Sequence, residues 1–268
     1  MRIDLYVQRL KTRGGIGSPS RGRGTIGAER LASRKSKLQC SAGPGSQRAR
    51  LRALPISGLI ILLLSASFSY AESKNEAKKS YDAVMNKASR DLTDGKIDDA
   101  TKDAAQAEKL DPSNPETANL LGIVASKKKD YPAAVSQFNR ALNENPKFYT
   151  AKFNLADVLM MKGDYEQART ILTDLSQIDP KSEIVQFKFA LSYVLANQTA
   201  AAMSFIDTMD LPGKTPAYYY ARAAVWLKKG LIKDAIQYSV NAHKYYTDGE
   251  CKYFVSVLQE MGFNVSVF

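Results

Sequence analysis

"KDYPAAVSQFNRALNENP", residues 129–146, and "GDYEQARTILTDLSQIDP", residues 163–180, stand 34 residues apart and carry the same punctuation. They lie in two consecutive units that together span residues 115–182. A self-similar period of about 20 to 50 residues marks a solenoid, in which each unit buries its apolar face only by stacking on its neighbours.

The period extends in both directions. Small residues recur at Ala88, Gly122, Ala156, Ala190 and Ala223, in steps of 34, 34, 34 and 33, and Ala100, Ala134, Ala168, Ala202 and Ala235 recur at the same steps. Between the two series lies a turn position held by Gly95, Lys129, Gly163, Asn197 and Gly230, and Gly, Asn or another polar residue suits a helix end. Each unit therefore reads as helix, tight turn, helix, with boundaries at 81–114, 115–148, 149–182, 183–215 and 216–249. A small residue midway along a helix lets its partner approach closely, while flanking Leu, Tyr and Phe fill the ridges. Pro112, Pro146 and Pro180 close the first three units, because proline lacks the amide hydrogen a helix interior needs. The fourth unit loses one residue and its regular proline in "DLPGKTP", residues 210–216, so a bend is expected there.

At this point the residues resemble a known family, the tetratricopeptide repeat. Its pattern of a small residue, an alanine and a closing proline is matched by "LLGIVASKKKDYPAAVSQFNRALNENP" (120–146) and "LADVLMMKGDYEQARTILTDLSQIDP" (155–180). The resemblance covers about 170 residues. It implies an all-α, right-handed superhelical solenoid of helix-turn-helix repeats with no catalytic role.

The ends are read from composition. Of the formal net charge of +11, all sits in residues 1–71, with 13 Lys+Arg against 2 Asp+Glu, and residues 72–268 balance at 25 against 25. The folded part is neutral, so the charge does not point to nucleic acid. Residues 1–50 are rich in Arg, Gly and Ser and are expected to be disordered. An RNA-binding tail would interleave aromatics with its arginines, and only Tyr6 is present; a transit peptide and an upstream stretch before the true start, near Leu51 or Leu54, are the other readings. Arg48, Arg50 and Arg52 precede an apolar run from Ile56 to Phe68, about the length of a signal-peptide core and short for a membrane span. Residues 51–71 are thus expected to export the chain to the periplasm or cell envelope and to be cut after Ala71; the alternative is a membrane anchor at 54–71.

Within the mature chain, 72–268, the first unit is polar and alanine-rich, as a terminal repeat facing water tends to be. Its helices are expected at 75–94 and 98–112. Phe138, Leu142 and Leu172 should face inward, and Trp226 should be core, in the slot of Tyr193, Leu159 and Ala125. A last amphipathic helix, 250–262, carries Tyr253, Phe254, Val257, Leu258 and Met261 at helical spacing and should cap the final repeat. The tail "NVSVF" is expected to fray.

Catalytic signals are missing from the sequence. His243 is the single histidine, no Cys/His cluster has metal spacing, and no phosphate loop or nucleophile elbow occurs. No cofactor or metal is expected. Asp98 and Asp99 are read as helix-dipole partners at a helix start, and His243 as a residue near a helix C-terminus. Cys251 is read as a small packing residue, with no second cysteine in the mature chain to pair with.

In proteins of the family resembled, the first helices of successive units line a concave groove that receives a peptide or another protein's helix. Carried over by repeat spacing, that face selects Asn119 and Ile123; Phe153, Asp157 and Met160; Phe187, Leu191 and Val194; and Tyr220, Ala224 and Leu227. Lys127 and Lys128 at the entrance would be offset by Asp157. A subgroup grips a carboxylate-ended peptide with a polar clamp, but Asn119, Ile123 and Ile184 stand where it needs other residues and only Asn154 fits. The reading is a protein-binding scaffold that takes an apolar strip, at about 25 cal/mol per Å² of buried apolar area before the costs of association. Self-association of the array, or service as an accessory subunit of an envelope enzyme or secretion complex, are the rivals.

Overall fold

A left-handed residue ends the first helix of every pair. The computed structural model describes residues 56–266 and 268, so the expectations for residues 1–50 and for the first part of 51–71 lie outside the described residues. Among the described residues there are eleven helices and no strand. They are α1 (Ile56–Thr93) and α2 (Ile97–Leu110), α3 (Pro115–Lys127) and α4 (Tyr131–Glu144), α5 (Tyr149–Lys162) and α6 (Tyr165–Ile178), α7 (Glu183–Leu195) and α8 (Thr199–Ile206), α9 (Ala217–Lys228) and α10 (Ile232–Ala242), then α11 (Asp248–Glu260). Among the described residues, 77–268 belong to one compact unit, and 56–76, the first part of α1, to another. Among the described residues no helix is long and apolar enough to cross a membrane.

The five turn residues, Gly95, Lys129, Gly163, Asn197 and Gly230, have φ of +77°, +63°, +95°, +62° and +74°. In each case the next amide closes back over five residues: Lys96 on Asp91, Asp130 on Ala125, Asp164 on Leu159, Gln198 on Tyr193 and Leu231 on Trp226, at 2.8–3.0 Å. This is the Schellman closure, which satisfies carbonyls a helix end would otherwise leave bare. Second helices begin at once, and Asp130 caps α4 by accepting from the Ala133 amide at 3.1 Å.

The small-residue series is buried throughout. All nine alanines in it have no exposed surface, and Gly122 sits against Phe138, whose Cε1 would lie 2.6 Å from an added Cβ. A glycine is thus required there by the ring of the paired helix.

Three features depart from expectation. α1 starts at Ile56 rather than near residue 75, because from Leu59 to Thr93 no proline or glycine interrupts the helix formers; Ala71 therefore falls inside a helix. Trp226 is half-buried rather than core, with the Lys229 ammonium 5.0 Å over its ring. The tail is packed instead of frayed: Phe268 meets Tyr220 edge-on at 6.0 Å, and Val265 lies against the same core.

The irregular fourth pair is pinned. With α8 only eight residues long, α7 and α9 pack directly on each other. The Glu183 carboxylate accepts from the amides of Lys214 (2.6 Å) and Thr215 (2.7 Å) and from the Thr215 hydroxyl (2.6 Å). Tyr246 donates to the Gly213 carbonyl at 2.8 Å.

Two substitutions test this logic by urea unfolding. Gly122→Ala is expected to destabilise, since overpacking of about 1–3 kcal/mol exceeds the gain of about 1 kcal/mol in helix propensity. Lys129→Gly should stabilise by up to about 1 kcal/mol, by removing the strain of a side chain in the left-handed region.

Candidate functional site

The face predicted to receive a partner is already partly covered, and by the chain's own last helix. α11 packs on α9, covering the apolar side of the last pair, and continues across the first helices of the preceding pairs. Phe254 is its anchor: the ring stacks on Tyr220 at 5.8 Å and meets Phe187 of α7 edge-on at 5.0 Å. Leu258 is fully buried beside it and Met261 touches the core of the middle pairs. At the far end Glu260 accepts from Lys127 of α3 at 2.6 Å.

Most of the predicted residues are buried, Phe187 and Tyr220 of them against Phe254. Phe187, Leu191, Val194, Tyr220 and Ala224 have no exposed surface, and Phe153 and Met160 almost none. Asn119 is buried as well, while Ile123, Asp157 and Leu227 are half-buried.

Polar side chains join one first helix to the next. Tyr81 and Thr117 share a hydrogen bond of 2.9 Å between α1 and α3. The Asn154 amide donates to Asn119 at 3.0 Å between α5 and α3, so the one residue fitting the peptide clamp is engaged within the array. Asp157 pairs with Lys188 of α7, and not with Lys127 or Lys128 as expected; Lys127 turns to Glu260 instead. The Lys188 ammonium is fully buried and lies 4.5 Å over the Phe153 ring. Burial pushes the Asp157 carboxyl up, and the Lys188 charge opposes part of that rise.

What remains open is a pocket of about 340 Å³ at the N-terminal half of this face. Leu92, Ile123, Phe138, Val158 and Met161 give its apolar lining, and Val257 and Glu260 of α11 make one wall. Repeat spacing finds Ile123 and Asp157 but selects Phe153 and Met160 where the residues of α5 that border the pocket are Asn154, Asp157, Val158 and Met161. That is a rotation of one residue, about 100° around the helix. Lys188 and the α11 wall have no repeat-spaced signal, because neither contact recurs. Among the described residues no cluster of His, Cys, Asp or Glu has the arrangement to hold a metal. Cys251 is buried, and that burial raises its thiol.

Models of the tetratricopeptide repeat match residues 85–147 and 125–188. Anaphase-promoting complex subunit 3 of Schizosaccharomyces pombe is 26% identical over 158 residues, which are 56% of this chain and 24% of that protein; the chain thus spans about a quarter of this relative's length. A thermophilic tetratricopeptide protein of Thermus thermophilus superimposes with a TM-score of 0.53 at 19% identity, covering 67% of this chain and 99% of that one. A tetratricopeptide protein of Parabacteroides merdae gives 0.53 at 20% identity, covering 76% and 86%. PilF of Pseudomonas aeruginosa gives 0.51 at 18%, covering 68% and 85%. These likenesses establish the solenoid fold.

The buried pair supplies a test. Lys188→Met should cost about 3–5 kcal/mol by stranding Asp157, while Lys188→Met with Asp157→Leu should restore most of it, read by urea unfolding. In carboxyl NMR of the parent, Asp157 should titrate above the ordinary aspartate range. Its folded value lies above its unfolded one, so the stability it contributes is full below the unfolded value and is lost as pH rises through the folded one.

Proposed function

We propose that this chain, a tetratricopeptide-repeat protein, is a non-catalytic interaction scaffold of the cell envelope that receives a partner segment in the open half of its first-helix groove. The observation that carries this reading is the pocket of about 340 Å³ between α11 and the first three pairs. Its apolar floor is Ile123, Phe138 and Met161, and it is rimmed by the Lys127–Glu260 pair. Such a site suits one or two apolar side chains of a docked segment, with polar groups at the edge to fix its direction.

Placement in the envelope is supported by the apolar run from Ile56 to Phe68 behind Arg48, Arg50 and Arg52, with small residues at Ser69 and Ala71. The partner's segment is read as apolar because the floor offers no free charge for a terminal carboxylate. Asn154 and Asp157, which border the floor, are each satisfied by a neighbouring repeat.

Crosslinked capture from envelope fractions, with the full chain beside an Ile123→Asp, Met161→Asp variant, tests the site. Both residues are half-buried, so circular dichroism should show the variant folded. One partner should be captured by the parent and reduced about tenfold or more by the variant; equal capture would move the site off this face. Peptide mapping of the envelope form should begin at Glu72, and a cytosolic chain retaining residues 51–71 would overturn the localisation.

A further inference from the structure

α11 has the build of a ligand as much as of a repeat element. Its N-terminus carries its own capping box, in which Thr247 and Glu250 satisfy each other's amides. Its C-terminus closes on itself through Gly262, at φ +88°, with the Phe263 amide on the Leu258 carbonyl at 3.0 Å. Both ends are thus capped without the array. It is joined to α10 by the short stretch from His243 to Thr247.

The seat is formed by two first helices. Phe254 enters between Phe187 and Tyr220, and Leu258 follows one turn on. Glu260 meets Lys127, both side chains being more than 40% exposed, and an exposed pair of this kind holds weakly. Beside that weak end lies the open pocket, walled by Val257 and Glu260. The helix is therefore sealed over the fourth and fifth pairs and undercut over the first three, where a competitor gains its first contacts.

We infer that the groove recognises an amphipathic helix with an aromatic pair, an aliphatic pair four residues on and an acid two residues beyond. α11 is the resident copy of that ligand, and a partner protein's helix of this chemistry binds by displacing it. The pattern is that of Tyr253, Phe254, Val257, Leu258 and Glu260. This rests on the reading of the groove as the docking site and adds both the class of partner and its control. A site filled most of the time weakens the apparent affinity by the fraction of chains that are open.

The test uses the full chain and a fluorescent peptide of residues 248–268. Anisotropy should show saturable binding, lost when the peptide carries Phe254→Ala and about tenfold tighter when the chain carries it. Trp226 fluorescence reports whether that chain remains folded. Should it unfold, Glu260→Lys in the chain, which sets two cations together, replaces it and should tighten binding several-fold. A Lys127→Glu chain should prefer a Glu260→Lys peptide over the native one. Absence of binding to either loosened chain, or indifference to the charge exchange, makes α11 permanent core and overturns the proposal. Dimerisation of the full chain that excess peptide abolishes would assign the incoming helix to a second copy and overturn the assignment to another protein. If the peptide fails while capture remains sensitive to Ile123 and Met161, displacement falls and the groove reading stands.

Discussion

The close approach of paired helices at a side chain no larger than a methyl group is the constraint on which the array depends. Ala88, Gly122, Ala156, Ala190 and Ala223 on first helices, and Ala100, Ala134, Ala168, Ala202 and Ala235 on second ones, put backbone near backbone. Larger residues then interlock around each contact, as Phe138 does over Gly122. The left-handed turn follows from the same requirement. Two helices held this closely need a connection of very few residues, and the five-residue closure reverses the chain while leaving no amide bare.

Whatever repeats was legible in the sequence. Phase-locked series at 34 residues gave the helix pairs, the turns and the face along which first helices align. The side chains that sit once in the chain were not. Asp157 and Lys188 are 31 residues apart, off the repeat step, and the ammonium lies over the Phe153 ring. α11 showed its amphipathic pattern plainly, yet a pattern tells which face is buried and not against what. An apolar groove that spacing alone offers to a partner therefore holds Phe254 between Phe187 and Tyr220. On α5 the difference is angular: Phe153 and Met160 point into the core, and Asn154 and Met161, one residue on from each, border the pocket.

Polar chemistry within the face is correspondingly directed inward. The Tyr81–Thr117, Asn154–Asn119 and Lys188–Asp157 contacts each cross from one pair to the next. They set the rotation of successive first helices, because a buried amide or carboxylate left without its partner costs more than the contact contributes. Specificity for an incoming segment then falls to shape and to the exposed charges at the rim. A surface of this kind discriminates length and pattern of apolar residues better than it does charge.

The shortness of α8 has a consequence for how the chain comes apart. Because α7 and α9 touch directly, one continuous core reaches from Phe153 through both to Cys251 and Leu258 in α11. The cores around Ala88 and around Ala118 are separate and small. A stack joined by nearest-neighbour contacts loosens where those contacts are fewest. Amide protons of α2 and α3 will therefore exchange with solvent before those of α7 and α9, and opening of the stack proceeds from its first pair toward its last.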